Sequence, residues 1–265
     1  MSTSNGGEVL ALTDTLGYLA YSQSISPDER VRRVRDTARF MGQCIEIAGE
    51  PADTGEYIKS LRLRSWLACL PSLEAVAAGL PHHADIAQVV LKNLLPTLEE
   101  TVIENTRTIN NFRGNETIHG QIAEMAVLAT ILWSHSVRPD RVRRSILPAS
   151  YSQDQSKEGS IASGFDLLLD TQSRFVPLQV KSTDLTYKSR QRLGFSGRPY
   201  RKDIAVIYVS RLVGKDYNPH YAPQILADAV IKEDENLLTN AIDEIDIAVE
   251  KAKLRTVEAS SLYRT

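Results

Sequence analysis

The stretch that decides the fold runs from residue 164 to residue 181 and has the sequence GFDLLLDTQSRFVPLQVK. Its first part, residues 164–170, predicts one strand because an apolar run is bounded by turn-forming residues. Its last part, Phe175–Lys181, predicts a second strand because apolar and polar side chains alternate along it. The short polar loop between them is of a length that joins antiparallel strands. The stretch therefore predicts a β-hairpin.

This hairpin would place three polar side chains on one face. If Asp170 pairs with Phe175 across the loop, Asp166 lies opposite Gln179, since the residue numbers of each pair keep a constant sum. Directly opposed residues have Cβ atoms about 4.5–5.5 Å apart, and Lys181 is the next residue on the same face. A shift of the register by one residue would separate these side chains. The simplest register thus predicts an acid, an amide and a lysine together at one end of a sheet.

A helix predicted over residues 117–135 supplies a further acid. Between Ile122 and Trp133 only Glu124 and Thr130 are not apolar. A helix that is apolar on nearly every side is buried on nearly every side, and an ionised carboxylate in such a place needs a cation or a strong polar partner. Glu124 is therefore expected to face the interior or a cleft. The alternative is that Glu124 reaches the helix edge and pairs with a surface base.

These side chains suit the hydrolysis of phosphodiester bonds. Mg²⁺ prefers oxygen ligands, which the Asp166 carboxylate, the Gln179 amide and the Val180 carbonyl would provide. Glu124 would hold the metal through water or bind a second ion. A bound cation polarises the scissile phosphate and activates water, while Lys181 would orient or deprotonate that water or stabilise the transition state. The alternative is an ordinary sheet with Lys181 exposed and Asp166 as a turn acid.

The order of an acid on a helix, Gly-x-Asp on a strand and Gln-x-Lys on the next strand resembles the PD-(D/E)XK nuclease superfamily. The Gln-x-Lys form is most similar to the Mrr-like restriction endonucleases, with some likeness to archaeal-type Holliday junction resolvases. The resemblance implies an α/β (α+β) fold, with a restriction-endonuclease-like α-β-β-β-α-β core and a mixed central sheet. It also implies dependence on Mg²⁺ (or Mn²⁺) and cleavage of DNA. By position, the residues implied to be catalytic are Glu124, Asp166, Gln179 and Lys181.

The resemblance covers about residues 117–211, and the chain departs from the superfamily pattern at two positions. Phe165 stands where the superfamily's name-giving proline would be. Gln179 replaces a carboxylate, and a neutral amide binds Mg²⁺ more weakly than a carboxylate does. The Mrr-like form accommodates this second change.

A basic stretch with interleaved aromatic residues follows the hairpin, at residues 182–203. Such a segment can bind a phosphate backbone and stack on exposed bases, whereas a solvated loop is the alternative. Within the implied core, residues 185–193 would form the second helix and residues 204–209 a buried strand. The candidate nucleic-acid-binding residues are Lys188, Arg190, Arg192, Arg198, Arg201 and Lys202.

Residues 1–114 are predicted to form a helical N-terminal region with a recognition or regulatory role, and residues 115–265 a nuclease domain that ends in helices at 223–231 and 235–253. Prolines separate the N-terminal helices, and Pro96 is expected to kink or split the last of them. The predicted N-terminal helices span residues 31–48, 55–70, 73–80 and 83–102. The first is preceded by a predicted cap at Ser26 with Pro27 at the first helical position, and Gly49 is placed to end it. The first of them carries five arginines, which are expected to form a solvated charged face, with contact to nucleic acid as the alternative. They are Arg30, Arg32, Arg33, Arg35 and Arg39.

Bulk composition restricts the class of protein without choosing a partner. The chain has 265 residues and a formal net charge of −2, which by itself points to no partner. No apolar run approaches the roughly 18 residues of a membrane span, and no signal peptide is evident. The two cysteines, Cys44 and Cys69, are expected to be reduced core residues. A cytoplasmic protein is therefore expected.

The leading expectation is a Mg²⁺-dependent endonuclease that hydrolyses phosphodiester bonds in DNA, in restriction or defence. A nuclease acting on RNA or on branched DNA is one alternative. A non-catalytic nucleic-acid-binding or scaffold protein on the same fold is the alternative from a different class. The expected partner is DNA and not a membrane, and cutting both strands would favour a homodimer.

Overall fold

The computed structural model describes residues 5–81, 83–107, 112–138, 145–154, 164–171, 174–183 and 204–252. Within these ranges the fold is α+β, with helices and a four-stranded mixed open sheet. The first seven helices are α1 (Asn5–Leu10), α2 (Leu12–Tyr21), α3 (Pro27–Ala48), α4 (Thr54–Ala68), α5 (Leu70–Ala77), α6 (Ala84–Arg107) and α7 (Phe112–Val137). They are followed by β1 (Ser145–Pro148), α8 (Tyr151–Asp154), β2 (Leu167–Asp170), β3 (Phe175–Lys181), β4 (Ala205–Tyr208), α9 (Val209–Leu212), a 3-10 turn (Pro219–Tyr221), α10 (Ala222–Ile231) and α11 (Glu235–Lys251).

The strands lie in the order β1-β2-β3-β4. β1 and β3 both run antiparallel to β2, and β4 runs parallel to β3. Asp170 pairs with Phe175 and Leu167 with Leu178, which confirms the predicted hairpin register. β3 has the predicted bounds.

β2 begins at Leu167, three residues later than predicted. The Asp166 N–H donates to the Leu178 carbonyl at 2.9 Å, whereas the Asp166 carbonyl accepts from the Ala149 N–H at 2.8 Å. In a regular antiparallel ladder, the N–H and the carbonyl of one residue bond to the same adjacent strand. The N–H and the carbonyl of Asp166 bond to different segments, so Asp166 lies at a bend rather than in the strand. The candidate catalytic acid therefore lies just before the strand.

The N-terminal helices and the sheet share one apolar core. Trp66 of α4 is 1% exposed, and its Nε1 donates to the Ala149 carbonyl after β1 at 3.3 Å. The ring of Tyr21 of α2 meets that of Phe175 of β3 edge to face, with centroids 5.3 Å apart. The proposed boundary near residues 110–114 falls partly outside the described residues and stays a prediction. On both sides of it, however, side chains join the same core.

The predicted helices of the N-terminal region are present. α3 begins and ends as predicted, whereas α4, α5 and α6 have shifted ends. α3 begins at Pro27, because Ser26 has extended backbone angles and proline suits the first turn of a helix. It ends at Ala48, before Gly49 with φ of 68°. α6 continues through Pro96, so of the two expected outcomes the split does not occur, and the kink stays a prediction.

The arginines of α3 divide into two groups. Four of them pair with acids at the surface, namely Arg32 and Arg33 with Glu29, Arg35 with Glu74, and Arg39 with Asp36. Arg30 contradicts the expectation of an exposed face, since it is only 7% exposed. Its guanidinium donates to the carbonyls of Ala77, at the end of α5, and Ser22, both at 2.7 Å. A cation is favourable at a helix C-terminus because carbonyls are left unpaired there.

Both cysteines are free thiols, in line with the expected reduced state. Cys69 is buried in the core, and this burial raises the pKa of its thiol to about 12. Cys44 of α3 is half-buried. Among the described residues, none of the helices has the length and apolar character needed to span a bilayer.

Candidate active site

The Asp166 carboxylate is fixed by two hydrogen bonds to β3. Its Oδ2 accepts from Nε2 of Gln179 and from the backbone N–H of Val180, each at 2.6 Å. These contacts place Asp166 opposite Gln179, as the hairpin register predicted. A carboxylate that accepts hydrogen bonds from two directions keeps one orientation.

Gln179 is 7% exposed and turns its amide nitrogen, rather than the predicted amide oxygen, toward Asp166. A glutamate here would bring a second negative oxygen to within hydrogen-bond distance of Oδ2, and like charges at that separation repel. The amide instead donates to the carboxylate, which explains how the site is stable with glutamine at this position. A rotation of the amide group by 180° would present its oxygen on the same side.

The remaining β3 residues of the site follow from strand geometry. The Val180 N–H points toward Asp166, and the carbonyl of a strand residue points to the same side as its N–H. The Val180 carbonyl is therefore directed to the side that β2 and Asp166 occupy. Lys181 is half-buried and pairs in register with Tyr208 of β4. Its side chain lies on the face of Gln179, because residues two apart in a strand share a face.

Glu124 of α7 and Asp166 line the same cavity, which has a volume of about 30 Å³. Glu124 is half-buried, and its Oε2 accepts from Gln121 at 3.4 Å. The structure thus places Glu124 at a partly open cavity that Asp166 also lines, in line with the interior or cleft-facing position predicted from the apolar sequence of α7. A volume of this size holds about one or two waters or a small cation.

The oxygen donors around this cavity fit a hard divalent cation. The carboxylates of Glu124 and Asp166 line the cavity, whereas Gln179 and Val180 do not line it and are connected to it only through their hydrogen bonds to Asp166. Mg²⁺ accepts carboxylate, amide and carbonyl oxygens together with water. Within the described ranges there is no group of three or more His, Cys, Asp or Glu side chains that could hold a metal ion. A site of this composition would hold Mg²⁺ or Mn²⁺ less tightly than three carboxylates would.

One charged residue of the cavity was not predicted. Arg62 of α4 lines it beside Glu124 and Asp166. In the sequence Arg62 is indistinguishable from Arg64, which is on the same helix and pairs with Glu100 at the surface at 3.0 Å. Both alternate with leucines in a helix that shows no clear division into polar and apolar faces. Only the packing of α4 against α7 and β1 distinguishes the two.

The predicted nucleic-acid-binding surface, formed by Lys188, Arg190, Arg192, Arg198, Arg201 and Lys202, lies outside the described residues. The helix predicted over residues 185–193 lies there as well. The DNA-binding role of this segment is therefore still a prediction.

Replacing Gln179 by glutamate should make the fold more dependent on metal. Gln179→Glu removes the donor to Asp166 and leaves like charges in contact, so we expect about 1–3 kcal/mol of stability to be lost at pH 7 in the presence of a chelator. Mg²⁺ or Mn²⁺ should restore more stability to this variant than to the parent, because a third carboxylate binds the ion. Thermal unfolding with a chelator and with each metal measures both effects. Gln88→Glu, an exposed change of equal charge on α6, should show neither, and an equal metal response in all three proteins would contradict the assignment.

Among the described elements, α7 is followed by β1, α8, β2, β3 and β4, and the sheet is mixed and open. The second helix of the core that the resemblance to the PD-(D/E)XK nucleases implies would fall outside the described residues. Comparisons with protein families, curated proteins and solved structures found no match for this chain. The resemblance to the PD-(D/E)XK superfamily therefore stays a prediction.

Proposed function

We propose that this protein is a Mg²⁺- or Mn²⁺-dependent endonuclease that hydrolyses phosphodiester bonds in DNA, on a restriction-endonuclease-like core. The observation that carries the proposal is the Asp166 carboxylate, held by Gln179 and the Val180 N–H at a cavity that Glu124 also lines. An acid, an amide and a lysine on adjoining strand positions, joined by an acid from the preceding helix, form a donor set suited to phosphodiester hydrolysis. A role in restriction or defence, and a homodimer for cutting both strands, belong to the same proposal.

Each residue has a distinct task in this proposal. Asp166 and Glu124 would hold the cation, with the Gln179 and Val180 oxygens completing the protein ligands. The metal, when bound, supplies polarisation of the phosphate and a water of lowered pKa. The Val180 N–H keeps the Asp166 carboxylate oriented. Lys181, at the end of β3, would orient the attacking water or stabilise the negative charge that develops on the phosphate oxygens.

Incubation of the protein with supercoiled plasmid tests this proposal. We expect nicking or linearisation with Mg²⁺ or Mn²⁺ and none with a chelator. Lys181→Ala should reduce the rate roughly 10²- to 10⁴-fold, which is the contribution of a positioned acid–base group. Lys215→Ala, an exposed lysine in the turn after α9, should cut at the parent rate.

Parallel substrates distinguish the alternatives. If the protein cleaves RNA or a branched DNA junction and leaves linear and supercoiled DNA intact, the same site acts on a different nucleic acid. Binding to all of these substrates without cleavage, under each metal, would show a non-catalytic binding protein and overturn the proposal. Equal activity in Lys181→Ala and Lys215→Ala would remove Lys181 from the site.

A further inference from the structure

Arg62 brings a positive charge from the N-terminal helices to the candidate metal site. It lines the cavity of about 30 Å³ together with Glu124 of α7 and Asp166 beside β2. Trp66 lies one helical turn further along α4 and is anchored to the strand region by its hydrogen bond to the Ala149 carbonyl at 3.3 Å. Because residues four apart share a helix face, this anchor fixes the part of α4 that presents Arg62 to the cavity.

The net charge of the site changes sign when a divalent cation binds. The two carboxylates and the Arg62 guanidinium leave one net negative charge on the cavity walls, which favours a cation and limits repulsion between the acids. A divalent cation converts this to one net positive charge. A phosphodiester carries a single negative charge, so it would neutralise the loaded site. A phosphomonoester, with its second charge, would not match as well.

The size of the cavity determines where such a phosphate can bind. A volume of about 30 Å³ holds a cation and its water but not a phosphodiester with its two sugars. The phosphate must therefore bind at the mouth of the cavity. Arg62 lines the cavity and is half-buried, so the residue as a whole is in part exposed to solvent. Guanidinium groups bind phosphate oxygens through two parallel hydrogen bonds.

We propose that Arg62 is the phosphate-binding residue of this site, contributed by the N-terminal helical region. In the metal-free protein it balances the charge of Glu124 and Asp166. In the loaded protein it binds a non-bridging oxygen of the scissile phosphodiester. This inference rests on the proposed metal-dependent function, and it assigns to the N-terminal region a direct contact with substrate.

The proposal predicts effects of opposite sign for one substitution. Arg62→Ala should tighten Mn²⁺ binding roughly three- to tenfold, because a positive charge next to the ion is removed. The same variant should bind a short DNA duplex in Ca²⁺ about tenfold or more weakly, because a charge-assisted hydrogen bond to phosphate is lost. Calorimetry with Mn²⁺ alone and fluorescence anisotropy with labelled DNA measure the two affinities. Arg62→Met keeps the aliphatic packing of the side chain and should reproduce both changes if Arg62→Ala folds poorly.

Arg64→Ala is the matched control, since Arg64 is on the same helix and pairs with Glu100 at the surface. It should change neither affinity. The role given to Arg62 is wrong if both Arg62 variants bind Mn²⁺ and DNA with the affinities of Arg64→Ala. It is also wrong if both variants bind Mn²⁺ and DNA more weakly than the parent does. If Asp166→Asn loses Mn²⁺ binding while Arg62→Met keeps the parent affinities for Mn²⁺ and DNA, only the role given to Arg62 is wrong. Unchanged Mn²⁺ binding in Asp166→Asn would instead overturn the proposed metal site.

Discussion

Asp166→Asn is expected to abolish metal-dependent cleavage while the protein stays folded. The substituted amide oxygen can still accept from Gln179 Nε2 and from the Val180 N–H, which the Asp166 Oδ2 now does at 2.6 Å. The change removes one of the two carboxylates at the cavity, and with it the principal ligand for a hard cation. We expect a rate at least about 10³-fold lower, since the cation supplies several kcal/mol of transition-state stabilisation. Initial rates of plasmid nicking in Mg²⁺ measure the loss.

Two comparisons make this result interpretable. Asp216→Asn removes an equal charge from an exposed turn after α9 and should cut at the parent rate. The melting temperature of Asp166→Asn should lie within a few degrees of the parent value, because both hydrogen bonds keep an acceptor and repulsion from Glu124 is relieved. If Asp166→Asn cuts like Asp216→Asn, the proposed active site is wrong. If it melts far below the parent, the loss of activity says nothing about metal binding, and metal affinity measured at low temperature decides instead.

The geometry of the hairpin could be predicted because its determinants are local. A four-residue loop and the alternation of side chains over Phe175–Lys181 leave one register that keeps the apolar face buried. The contact between Asp166 and Gln179 follows from that register. For Glu124 the sequence left two positions open, an interior or cleft-facing one and one at the helix edge, and the structure shows the first, since Glu124 lines a cavity.

Features that depend on distant packing could not be predicted in the same way. Arg30 looks like its neighbours on α3, yet it is buried because the end of α5 supplies carbonyls for its guanidinium. Arg62 and Arg64 are two residues apart in one helix, and only the position of that helix against α7 sends one to the cavity and the other to Glu100. β1 is four residues long, with the sequence SILP, and so short an apolar run carries no period of its own. These features depend on contacts between segments far apart in the chain.

A fragment of residues 115–265 is expected to be insoluble or unfolded. It lacks α6, which packs along α7 and contributes the fully buried Val90, Leu94 and Leu98. Burial of each such side chain stabilises the fold by about 1.5–3 kcal/mol. The summed contribution of the three is therefore comparable to the free energy of unfolding of a whole domain, which is about 5–15 kcal/mol. The exposed face of α7 would also promote aggregation. Expression of the fragment, with separation of soluble and insoluble protein, measures the outcome.

A single substitution tests the same shared core within the full chain. Leu98→Ala should lower the free energy of unfolding by about 2–5 kcal/mol, whereas Leu80→Ala, at a residue that is 56% exposed, should change it little. Denaturant unfolding followed by circular dichroism measures both. One unfolding transition, shifted as a whole by Leu98→Ala, would show that the N-terminal helices and the sheet unfold together.

The opposite result would define the N-terminal region differently. A soluble 115–265 fragment that cuts DNA weakly in Mg²⁺ would show a separate recognition domain, as the change of pattern near residues 110–114 suggests. Such a fragment would lack Arg62 and Trp66, although Arg62 lines the cavity and Trp66 bonds to Ala149. Full catalytic rates in it would therefore contradict both the shared core and the phosphate-binding role of Arg62. The expected loss of folding follows from the same packing that makes Arg62 line one cavity with Glu124 and Asp166.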